Sequence, residues 1–81
     1  MYPSIQELSD RIKAAKRFLD GEVTNLKLGR DVQLPAFELY THRDTIHEVE
    51  RQGLRNIGDL ELIRIQRTLT TVEAQMSMSS N

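Results

Sequence analysis

The chain has 81 residues, room for one small domain and no second core. Eleven Lys and Arg against twelve Asp and Glu leave a formal charge of −1, which gives no support to nucleic-acid binding through bulk charge. The absence of cysteine excludes a disulfide frame, a cysteine-ligated zinc and a cysteine nucleophile.

The first predicted element is a helix over 4–20. Ser4 with Glu7 fits a capping box. Ile5, Leu8, Ile12, Ala15 and Leu19 then recur at alternating spacings of three and four, an unbroken apolar seam that Ala14 and Phe18 widen. Arg11, Lys13, Lys16 and Arg17 lie away from it. Asp20-Gly21 marks the expected stop. Weak continuation through Val23 and Leu26 is the alternative, because one glycine costs only about 1 kcal/mol. Leu26-Lys27-Leu28 and Val32-Gln33-Leu34 alternate around Gly29-Arg30. That pattern suggests a short β-hairpin within 22–34, or else a loop tucking its aliphatic side chains inward.

The second helix is expected over 36–52, with Pro35 suited to the first helical position. Its stripe of Phe37, Leu39, Tyr40, Ile46 and Val49 is interrupted by His42 and Arg43. Thr41 offers an alternative, later cap. At the far end Gly53 fits a left-handed position, with Leu54 closing a Schellman turn on Val49. The third helix is expected over 57–77. Asp59 and Glu61 suit the first turn. Leu62, Ile65, Leu69, Val72 and Met76 form a second regular seam, and Leu60 and Ile63 add a second apolar edge. The small, polar tail 77–81 is expected to fray. The fold expected is therefore all-α: one helical domain over 1–81, a small three-helix bundle or helical hairpin.

Catalytic chemistry finds little footing. His42 and His47 are five apart, about 140° around a helix, so they share no face for a metal or a base and its orienting partner. Asp44, Glu48 and Arg51 read as a solvated strip. The glycines stand singly, without a phosphate-binding pattern. No enzyme activity, cofactor or metal is expected. No apolar run approaches the roughly 18 residues of a membrane span, and no signal peptide opens the chain, so a cytoplasmic location is expected.

The two seams carry the strongest signal. They either close on the second helix within one chain or join the chain to another. The second reading makes this a non-enzymatic protein–protein interaction or assembly module, such as a phage- or plasmid-type small regulator. It would present an amphipathic helix face to a partner protein or to its own copies as a homo-oligomer. Its anchors would be Leu62, Ile65, Leu69 and Val72, with Ile12 and Phe18 opposite, and Arg64 and Arg67 as specificity contacts. An alternative is a dimeric nucleic-acid-binding regulator using Arg11, Lys13, Lys16 and Arg17.

Two stretches resemble known proteins. Gly53-Leu54-Arg55-Asn56-Ile57-Gly58-Asp59-Leu60 resembles the opening of some helix-hairpin-helix DNA-binding modules, without their second glycine-bearing hairpin. Residues 4–52 run helix, Gly21, alternating stretch, Gly29-Arg30-Asp31-Val32, then a helix with Ile46, Glu48 and Glu50. That order is similar to the small head–tail joining protein of lambda-type phages, although a further helix follows here. The resemblance implies a helix–hairpin–helix fold and a role in virion head–tail assembly.

Overall fold

The computed structural model describes residues 4–79. Three helices follow one another: α1 (Ile5–Lys27), α2 (Ala36–Gln52) and α3 (Asp59–Ser79), with a 3-10 turn at Leu54–Asn56 between the last two. No strand occurs among the described residues. Each helix packs against both others.

At the start of α1, Ser4 holds extended dihedrals and its hydroxyl accepts the Glu7 N–H at 3.1 Å. The helix does not stop at Asp20-Gly21. Its seam continues one turn beyond Leu19 to Val23, which is buried, and Leu26 packs on the core behind it. Burying a valine yields about 1.5 kcal/mol or more, enough to outweigh the roughly 1 kcal/mol cost of a helical glycine. Thr24 adds a bond from its hydroxyl to the Asp20 carbonyl at 3.1 Å.

The real end of α1 lies at Gly29, where φ is +74°. The Arg30 N–H reaches the Asn25 carbonyl at 2.8 Å and the Gly29 N–H reaches Leu26 at 3.1 Å. This pair of bonds is a Schellman ending. Of the readings open for 22–34, the short β-hairpin is not formed: the helix continues through Lys27, Gly29 terminates it, and Leu34 is buried from a loop. The hairpin on which the likeness to the head–tail joining protein depended is thus absent from these residues.

Pro35 takes the cap position of α2, and its carbonyl accepts the Leu39 N–H at 2.9 Å. The helix covers the expected span but buries only Leu39, Ile46 and Val49. Gly53 has the expected positive φ, +89°, but its ψ of 134° lies outside the left-handed helical region. One bond, Gly53 N–H to the Val49 carbonyl at 2.9 Å, closes this end, and the Asn56 side chain caps the Gln52 carbonyl at 2.8 Å. The Schellman geometry expected at Gly53 therefore sits at Gly29 instead.

The third helix begins at Asp59 and stays helical through Ser79, so residues 77–79 are not frayed as expected. Ser80 and Asn81, the rest of the predicted tail, lie outside the described residues.

The core is aliphatic. From α1 come Leu8, Ile12, Ala15, Leu19 and Val23; from α2, Leu39, Ile46 and Val49; from α3, Ile65, Leu69 and Val72; Leu34 joins from the loop. One carboxylate shares this interior. Glu22 is 8% exposed, and its Oε2 has no hydrogen-bond partner. Such a group works against stability unless something answers it. No described helix is long and apolar enough to cross a membrane.

Candidate functional site

The fold divides the anticipated interface residues into two sets. Ile12, Ile65, Leu69 and Val72 are buried within the chain's own core, and Phe18 and Leu62 pack against it half-buried. These six already have partners inside one chain. Arg64 and Arg67 are exposed.

The basic face of α1 is divided as well. Arg11 makes a two-pronged contact with Glu73 of α3, Nε to Oε2 at 2.8 Å and Nη2 to Oε1 at 2.7 Å. That carboxylate, by hydrogen bond and charge, holds the guanidinium's proton more firmly than usual against a smaller desolvation effect. Lys16 pairs with Glu50 of α2 at 2.5 Å. Only Lys13 and Arg17 of the four have no ion pair among the described residues. The fold uses half of the proposed phosphate-binding set to hold its helices together.

A third tie explains the interrupted stripe of α2. Arg43 stands where an apolar seam residue was due. Its Nε lies 2.9 Å from Asp20 Oδ1 of α1, and His47 Nε2 lies 3.1 Å from the same oxygen. Arg43 and His47 are i, i+4 neighbours, so one turn of α2 aims both at one carboxylate. Partial burial alone would raise the Asp20 pKa. Hydrogen bonds from His47 and Arg43, with their charges, outweigh it and hold the carboxyl below its ordinary range. The site is a structural clamp between two helices. On the outer side of α2, Arg51 pairs with Glu48 one turn away. Among the described residues no group of three or more His, Asp or Glu is placed to hold a metal ion.

What α3 leaves to solvent is more orderly. Its buried positions occupy one side. Directly opposite run Leu60, Arg64, Arg67, Thr71, Ala74 and Met78, spaced by three and four, with Ile63 beside Arg64 at the edge, all exposed. Leu60 is 78% exposed, Ile63 40% and Met78 63%. The stripe spans about 27 Å at 1.5 Å per residue. Neither arginine has an ion pair among the described residues. On the α2 side, Arg64 borders a shallow groove of about 340 Å³ floored by Val49 and Ile65, with Asp44, Glu48 and Glu61 at its edges. A second apolar outcrop, Leu28, Phe37 and Tyr40, is confined to the α1–α2 loop and the start of α2.

In the sequence the two arginines and the apolar edge at Leu60 and Ile63 stand as separate features. The spacing that joins them was visible: 60, 63, 64 and 67 are i, i+3, i+4 and i+7. The seam on the opposite side is longer and wholly apolar, and so dominates the pattern. Comparison with known protein families, with curated sequences and with solved structures found no match.

Proposed function

We propose that this chain is a non-enzymatic protein-docking module, and that the outer face of α3 receives another protein chain. One observation carries the reading. Apolar side chains and two arginines with no ion pair among the described residues share a regular, solvent-facing helical stripe whose opposite side is already used by the core. Arginine and large apolar groups together are favoured at protein interfaces, where a helix face docks through i, i+3, i+4 and i+7 anchors. The outcrop at Leu28, Phe37 and Tyr40 is shorter and has no such regular spacing. Nucleic-acid binding through α1 has less support, because Arg11 and Lys16 are held by Glu73 and Glu50. The cytoplasm is the compartment in this reading, since small secreted domains ordinarily lean on disulfides.

Site-directed photocrosslinking in the native host tests it. A benzophenone side chain replacing Thr71 should give one discrete protein adduct. The same group replacing Lys27, on a different helix, should not. Leu60→Asp should abolish the Thr71 adduct while leaving the helical circular dichroism spectrum unchanged. No adduct at Thr71, or one indifferent to Leu60→Asp, would overturn the proposal.

A further inference from the structure

We infer that the occupant of the outer α3 face is an acidic amphipathic helix of a different protein, not a second copy of this chain. The inference rests on the docking role proposed above and adds the partner's chemistry to it.

The charge on the stripe is one-sided. Arg64 and Arg67 sit one turn apart near its middle, with Leu60 and Ile63 on one flank and Ala74 and Met78 on the other. The acids of α3 point elsewhere. Asp59, Glu61 and Glu73 lie about 80°, 120° and 120° around the helix from Arg67, and Glu61 comes within about 60° of Arg64, on the groove side. Glu73 is moreover engaged by Arg11. The stripe therefore carries two positive charges and no negative one along its length.

This pattern selects against self-pairing. Laying two copies of the stripe together, in either direction, gathers four arginines along its midline, while the nearest acids, Glu61, Asp44 and Glu48, stand off the stripe on the groove side of Arg64. Like charges brought out of water oppose association. A nucleic acid would answer the arginines, but Leu60, Ile63 and Met78 would then lie against phosphates or water. An amphipathic helix answers both halves of the pattern. Its apolar residues cover Leu60, Ile63 and Met78, and Glu or Asp at i, i+3 or i, i+4 meet the guanidinium pair in charge-assisted hydrogen bonds. Arg64 and Arg67 then choose the partner, and the apolar residues hold it.

Two synthetic helical peptides test this against the full chain, with fluorescence anisotropy as the readout. Both have the same leucine stripe; one carries Glu at the flanking positions, the other Lys. The acidic peptide should bind saturably at one per chain, and more weakly as salt rises. Arg64→Glu with Arg67→Glu should weaken it at least tenfold and should admit the Lys peptide. Lys13→Glu with Arg17→Glu should change nothing. Circular dichroism of each variant keeps loss of folding separate from loss of binding.

Equal binding of both peptides would overturn the acidic partner while leaving the docking face intact. So would failure of both peptides while the Thr71 adduct persists. Self-association that survives high salt and is lost in Leu60→Asp would assign the face to a second copy. Competition by duplex DNA at the same arginines would overturn the inference and the docking role together.

Discussion

Two glycines of this chain do opposite things. Gly21 lies inside α1 with an ordinary helical backbone, and a Cβ placed there meets nothing within 4 Å. Its only effect is to enlarge the entropy of the unfolded chain. Gly21→Ala should therefore raise stability by about 0.5–1 kcal/mol in urea denaturation. Gly53 holds a φ of +89°, and the nearest atom to an added Cβ is an Asn56 side-chain nitrogen at 3.4 Å. The contact is ordinary and the backbone is not, so Gly53→Ala should lower stability by about 1 kcal/mol in the same experiment. The sequence marked both glycines as punctuation. It could not rank them, because only the next turn of packing, Val23 behind Gly21, decides whether the helix continues. The same holds for Glu22: one position on a predicted helix or hairpin gives no hint that one of its oxygens will be enclosed.

At the scale of elements, the legible features were those with a period. Both seams were readable because burial repeats every three or four residues, and α2 and α3 start and stop within two residues of expectation. The ties between helices were not readable. Asp20 meets Arg43 and His47 across more than twenty positions of chain, and nothing local distinguishes that carboxylate from Asp10 or Asp31. The clamp has a measurable consequence. Its carboxyl titrates lower in the folded than in the unfolded chain. Its contribution is therefore complete above the unfolded value, near pH 4, and is lost as pH falls through the lower folded value. The urea midpoint should drop between pH 6 and pH 3, and Asp20→Asn should drop less over the same interval. Equal losses would mean the clamp contributes nothing to stability.

For the whole molecule, the decisive fact is that a chain of this size encloses its own core. Leu19, Leu39, Ile46, Ile65, Leu69 and Val72, drawn from all three helices, are fully buried without any second chain. Thermal unfolding should accordingly keep the same midpoint over about a hundredfold dilution; a midpoint that fell on dilution would show that folding draws on association. Because the seams are closed within the chain, the docking role proposed above falls to side chains that face outward from α3. The short connections that follow Gly29 and Gly53 bear on time as well as on shape. Helices consecutive along the chain are also neighbours in space, so most native contacts form between segments already close together. Low contact order of this kind goes with folding in microseconds to milliseconds. A newly made copy would spend little time with its apolar seams open to aggregation, and in the docking role proposed above its outward arginines would be presented almost as soon as the last helix is complete.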